Sequence, residues 1–251
     1  MKKIILSSLV LVGSLFANDF NKTFTQTLTS NLKKEGNVKI ISVDELKSLN
    51  GLKFVVADVN GDSTPFFVSS DGKNALGFPS FTLVSDDKDR QIIEDRMTEL
   101  KAELRAEQEK IAYELIKTIP EDRFIHINSF DKNNKFVTYM VTDPECPHCV
   151  KEISKMVKWL RNANVKLIFA PVHGKSAYTK SAIMLKEAKK IGPDNQEAIM
   201  KLLEKYYTPD TQVSDDEATE EERLMVLEDA KKLFSKGVIK SVPFSFTVEK
   251  E

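Results

Sequence analysis

Two cysteines, the only ones in 251 residues, stand two residues apart in Asp143-Pro144-Glu145-Cys146-Pro147-His148-Cys149. An apolar run, 136–141, precedes them, and residues 150–160 carry a helical pattern, with Ile153, Met156, Val157 and Leu160 on the inward side. A strand running into Cys-x-x-Cys at a helix start is the setting in which the motif does redox chemistry. At a helix N-terminus a thiolate meets the positive end of the macrodipole and free backbone N–H groups, which lower its pKa. Cys146 is placed there as the attacking sulfur. Cys149, one turn in on the same face, can resolve a mixed disulfide. Pro147 suits the first helical turn, where no N–H is needed.

Two other uses of the cysteines are weaker. A structural disulfide across two residues closes too small a loop to stabilise much. A zinc site needs four ligands, and three scattered histidines (His126, His148, His173) provide no second ligand pair. No metal and no cofactor beyond a Cys146–Cys149 disulfide is expected. A net charge of −1 argues against nucleic acid as a partner.

The elements that must position this motif follow in order. Lys2 and Lys3, an apolar run over 4–16 and then Ala17 read as a secretory signal peptide, 1–17, cleaved near Ala17; the run is short for a membrane span. Residues 18–85 form a small domain. Phe20, Phe24 and Leu28 line one face of a helix over 19–31, followed by strands at 38–42, 52–59, 64–70, 74–78 and 81–84. Residues 43–49 read as one or two helical turns, and Asn60-Gly61 and Asp71-Gly72 as hairpin turns. The result is one helix against an antiparallel meander, small enough that pairing with a second copy would help it. Residues 86–119 then form a long helix that reads as an interdomain strut. Its stripe is Ile93, Met97, Leu100, Leu104, Ile111 and Leu115, with a charged middle over 94–110.

Residues 120–251 alternate strands (124–128, 135–142, 165–170, 244–248) with helices (150–160, 176–190, 193–207, 224–234), an α/β pattern. Ser214 and Glu217 form a capping box that opens the last helix. His126 and Trp159 read as structural, and His173 as a loop histidine near the motif.

Taken together, signal peptide, small β domain, long helix and Cys-x-x-Cys resemble the periplasmic thiol–disulfide isomerases of the DsbC/DsbG type, within the thioredoxin-fold superfamily. Phe67-Val68-Ser69-Ser70-Asp71-Gly72-Lys73 through Gly77 is similar to the hairpin of the family's N-terminal domain. Residues 91–116 are similar to its linker, and Thr142-Asp143 to its approach to the active site. The resemblance implies a cystatin-like α+β dimerisation domain, a linker helix and a thioredoxin-like catalytic domain. It also implies V-shaped homodimers whose active sites face an apolar cleft. Partners would be unfolded or misoxidised exported proteins and a membrane redox protein. It makes Val242-Pro243 the substrate-holding cis-proline site.

Three departures stand out. Pro147-His148 and Val242 resemble the oxidase DsbA, and His148 between the cysteines would make the disulfide more oxidising. The family's extra cysteine pair is missing. After Pro243 the sequence runs only to Glu251, so either the sheet is shorter than usual or the strand at 124–128 and the long helix cover it. The activity implied is disulfide formation or isomerisation, direction open, with a periplasmic chaperone as the other reading.

Overall fold

The computed structural model describes residues 14–31, 37–77, 84–208 and 210–250, and the chain divides into two units, Met1–Arg105 and Ala106–Glu251. The basic and apolar start of the signal-peptide reading lies outside the described residues. Ser14 to Ala17 belong to the first helix, α1 (Ser14–Asn31). Among the described residues no helix is long and apolar enough to cross a membrane.

In the first unit, β1 (Val38–Glu45), β2 (Leu52–Val59), β3 (Asp62–Ser69) and β4 (Ala75–Gly77) form an antiparallel sheet in sequence order. Asn60 and Gly61 both take positive φ, which is what a two-residue turn between twisted strands demands. Residues 43–45 are strand, not helix. A bulge between Ile40 and Ser42 keeps β1 paired, and the ladder runs on to Glu45 opposite Lys53. The strand expected at 81–84 lies, but for Val84, outside the described residues.

The meander carries a helix on each face rather than on one. Phe20 and Phe24 of α1 pack with Val55, Ala57 and Val68. On the opposite face Phe54, Val56 and Phe67 pack with Ile93 and Leu100 of α2 (Asp87–Ile116). This is why Phe54, Val55, Val56 and Ala57 are all buried, a continuous run rather than an alternation. Each fully buried phenylalanine contributes about 2–3 kcal/mol by removal from water. Gly72 (φ +76°) turns β3 into β4 directly beneath α1, where a Cβ would stand 3.1 Å from both Phe20 O and Phe24 N. A side chain there would push the α1 backbone back by a few tenths of an ångström and would be strained at this φ.

The apolar stripe of α2 changes register along its length. Ile93 and Leu100 are buried in the first unit, but Leu104 is exposed. Further on, Ala112 and Ile116 are the buried positions, not Ile111 and Leu115. Because 3.6 residues per turn never match a fixed seven-residue spacing, a stripe followed too far drifts off its face.

In the second unit, β5 (Ile125–Ile127), β6 (Phe136–Thr142), β7 (Asn164–Phe169) and β8 (Phe244–Glu249) form a mixed sheet in the order β5-β7-β6-β8. The central pair β6–β7 is parallel and both edges are antiparallel. Tyr139 and Phe246 stack on one face at 5.6 Å, and Tyr113 of α2 covers them. Among the described residues the sheet has four strands; β5 pairs at the β7 edge, opposite β8, so it is not the strand at 124–128 that covers the β8 side, where Tyr113 of α2 packs on Phe246.

The motif helix is two pieces, α3 (Pro147–Ile153) and α4 (Met156–Asn162), broken at Ser154–Lys155. The break re-aims α4, so Met156 and Leu160 are buried while Val157, expected inward, is 44% exposed. Three helices complete the unit: α5 (Lys175–Ile191), α6 (Gln196–Tyr206), capped by Asn195, and α7 (Glu220–Phe234). The Ser214–Glu217 capping box forms, but it closes a single 3-10 turn. A second box, Thr219 with Glu222, opens α7.

Candidate functional site

β6 and β7, being parallel, deliver their C-terminal ends to the same edge of the sheet: the motif follows β6 and the loop 170–174 follows β7. Asp143 locks the two together. It is fully buried, and its Oδ1 accepts from Glu145 N–H (2.8 Å). Its Oδ2 accepts from Val172 N–H (2.8 Å), His173 N–H (3.2 Å) and His173 Nδ1 (2.7 Å). A buried carboxylate is tolerated when all its lone pairs are used in this way.

The turn made by Asp143 places Cys146 at the N-cap of α3 with extended backbone (φ −78°, ψ 120°) and Pro147 as the first helical residue. The Cys146 thiol donates to Val242 O at 3.6 Å. Val242-Pro243 is a cis peptide bond. Sequence reasoning thus names four residues, Cys146, Cys149, Val242 and Pro243, that the fold brings together. Cys146 is 6% exposed and Cys149 fully buried; the two thiols are unpaired. Burial pushes the Cys149 thiol up to about 12, against the hydrogen bonds from Asp143 N–H and the Thr142 hydroxyl that favour its anion. The pair is therefore asymmetric: one sulfur at a helix start, the other a protonated thiol in the floor. Pro147 and His148 are exposed on α3.

His173 stands at the site through its bond to Asp143, while His126 bonds Glu121 O (3.2 Å) away from the motif. Trp159 is half-buried against the core and donates to Glu152 (2.9 Å). Among the described residues no three His, Cys, Asp or Glu side chains group as a metal site would require.

Two features escape sequence reasoning. Glu145 accepts from Ser176 (2.6 Å) and pairs with the buried Lys180 (3.2 Å), whose only sequence signal is a lysine within the inward run 177–184 of α5. Thr142 shares a hydrogen bond with Tyr207 (2.9 Å), which nothing in the sequence announces. Beside the motif runs a groove of about 440 Å³ lined by Pro144, Pro147, Val150, Lys180, Thr208 and Val213. A larger cavity, about 500 Å³, is lined by His173, Tyr178, Arg223 and Leu224.

Residues 24–112 match the family model described as the N-terminal domain of the disulfide isomerase DsbG. Among solved structures, Helicobacter pylori DsbG superposes with a TM-score of 0.54 and 26% identity, covering 90% of this chain and 100% of that one. The catalytic domain of Proteus mirabilis ScsC has a TM-score of 0.41 at 18% identity, covering 56% of this chain and 85% of its own. The thiol–disulfide exchange protein α-DsbA2 of Wolbachia pipientis has a TM-score of 0.38 at 12% identity, covering 57% and 87%. No curated protein sequence matches the chain.

Proposed function

Because this chain is a thiol–disulfide interchange protein of the DsbC/DsbG type, we propose that Cys146 and Cys149 form or isomerise disulfides in exported polypeptides, in the periplasm. The asymmetry of the two sulfurs carries the reading. Cys146, at the start of α3, attacks a substrate disulfide as thiolate, or in the oxidised pair is itself attacked by a substrate thiolate. Either step leaves a mixed disulfide at Cys146. The substrate's own thiol or Cys149 then resolves it. Val242 and Pro243, facing Cys146, hold the substrate backbone. The N-terminal sequence acts as a cleaved export signal, the first unit pairs with a second copy, and a membrane redox protein resets the pair.

Trapping tests this directly. Cys149→Ser in cells should accumulate mixed disulfides to exported proteins, and their absence would end the reading. The in-cell state of the wild-type pair, fixed by acid quenching and alkylation, then sets the direction: mostly reduced means isomerase or reductase, mostly oxidised means oxidase. A chaperone activity is favoured by the apolar groove beside the motif. It predicts that suppression of aggregation survives loss of both cysteines.

A further inference from the structure

Thiol exchange at Cys146 repeatedly makes Cys149 a leaving group. When a substrate thiolate attacks Cys146 Sγ of the oxidised pair, a bond forms between those two sulfurs and the Cys146–Cys149 bond breaks. The electron pair departs on Cys149 Sγ, and no proton moves in that step. The charge therefore develops on a sulfur with no exposure to solvent. Without donors already in place, such a buried anion is costly.

Hydrogen bonding from the Asp143 backbone and the Thr142 side chain favours the Cys149 anion, and the neighbouring Cys146 opposes it. Cys146 is the group being attacked, and the Asp143 N–H is fixed by the backbone. Thr142 alone has a rotatable donor, and its oxygen lies 2.9 Å from the Tyr207 oxygen in a bond that either can donate. Both side chains are buried. A threonine has one O–H. If it donates to Tyr207, nothing is left for the sulfur. If Tyr207 donates to it, the Thr142 O–H is free to point at Cys149, and it is made a stronger donor by the bond it accepts.

We propose that Thr142 and Tyr207 form a buried hydroxyl relay that stabilises the anion on Cys149 Sγ each time that sulfur leaves, Thr142 touching the reacting atom and Tyr207 orienting Thr142. Tyr207 is suited to the second place. Burial, and the neighbouring sulfurs and Asp143, raise its pKa well above the ordinary value, so it stays a donor throughout. The relay rests on the Cys146–Cys149 exchange proposed above and adds the means by which the inner sulfur can carry charge.

The test uses the full-length oxidised protein and dithiothreitol, reading the rate of reduction against pH together with the equilibrium against glutathione. Thr142→Val should slow reduction about tenfold or more, the size of a hydrogen bond to a charged group, and shift the glutathione equilibrium toward the disulfide. Thr142→Ser, which keeps the hydroxyl, should restore the rate. Tyr207→Phe should fall between, while alkylation of Cys146 in the reduced protein stays within about twofold. The relay is overturned if Tyr207→Phe reduces at the wild-type rate, or if Thr142→Ser is as slow as Thr142→Val. Should Thr142→Val not fold, Tyr207→Phe decides alone, since it removes one atom. A wild-type pair that cannot be oxidised and reduced would sink the exchange reading itself, and the relay with it; normal wild-type exchange with unaffected variants sinks the relay only.

Discussion

Both units are built on a four-stranded sheet, yet they spend buried polar groups very differently. In the first, strands pair in sequence order through short turns; among the described residues Asp89 is its one fully buried polar residue, and the buried Ser42 hydroxyl has no hydrogen-bond partner. In the second, the order β5-β7-β6-β8 brings distant segments together, and Ser129, Thr138, Thr142, Asp143, Thr179, Lys180 and Ser181 are all buried. Buried polar groups cost stability unless every one is paired. Their concentration in one unit, with Thr142, Asp143 and Lys180 around a single pair of cysteines, marks where structure serves chemistry. The first sheet is arranged for packing.

The sharpest way to break that division is to cut each unit once. Cys146→Ser should abolish exchange of disulfides altogether while leaving the fold intact, read by reactivation of a scrambled protein substrate. Exchange that persisted would place the chemistry elsewhere. Asp143→Ala should cost about 3–5 kcal/mol in urea unfolding, because three backbone N–H groups and the His173 imidazole lose one shared acceptor. A loss below about 1 kcal/mol would mean that water replaces the carboxylate and that it does not lock the two loops. By contrast, Phe54→Ala in the first unit should cost about 3 kcal/mol as a cavity, yet leave the rate of reduction by dithiothreitol unchanged. A slowed rate would show the two units to be coupled in the chemistry as well as in the chain.

The same division explains what the sequence discloses. The hairpins of the first unit are local, so Asn60-Gly61 and the flanking apolar residues locate β2 and β3 within a residue or two. Its double helix cover is not local. The unbroken burial of Phe54 to Ala57 depends on Ile93 and Leu100, which lie some forty residues on. In the second unit the cysteines are legible from spacing alone, and Val242-Pro243 from the resemblance. The groups that surround them are not. Lys180 of α5 and Tyr207 at the end of α6 reach the motif from the long connection between β7 and β8, far along the chain from the cysteines. Residues that act within one turn can be read from the chain. Residues brought together by topology need the fold.

Two smaller effects probe each side by pH. In the reduced protein the Cys149 thiol holds its proton to about 12, while in the unfolded chain a cysteine releases it near 8.5. The folded state binds the extra proton, so stability is fully present below about pH 8.5 and falls as pH rises from there toward 12. Urea unfolding of the reduced wild type should thus weaken more between pH 8 and pH 10 than that of Cys149→Ala. Equal slopes would mean that the buried sulfur ionises as freely as a solvated one.

The smallest effect belongs to Asp89, at the start of α2. The Ser48 hydroxyl, with the Ser48 and Lys47 N–H groups, binds its carboxylate and lowers its pKa below the ordinary aspartate value. A depressed carboxyl contributes stability that is present above its unfolded pKa, about 3.9, and lost as pH falls through the folded value. Below about pH 4 the turn at 47–48 should therefore loosen from α2, and Asp89→Asn should flatten that part of the acid transition without altering exchange at Cys146. Amide hydrogen exchange at Lys47 and Ser48, compared at pH 5 and pH 3, is the direct readout once corrected for the intrinsic rate. Protection that persists at pH 3 would mean the turn is held by the Leu46 packing instead, and the first unit would then have no charge-dependent contact at its one buried carboxylate.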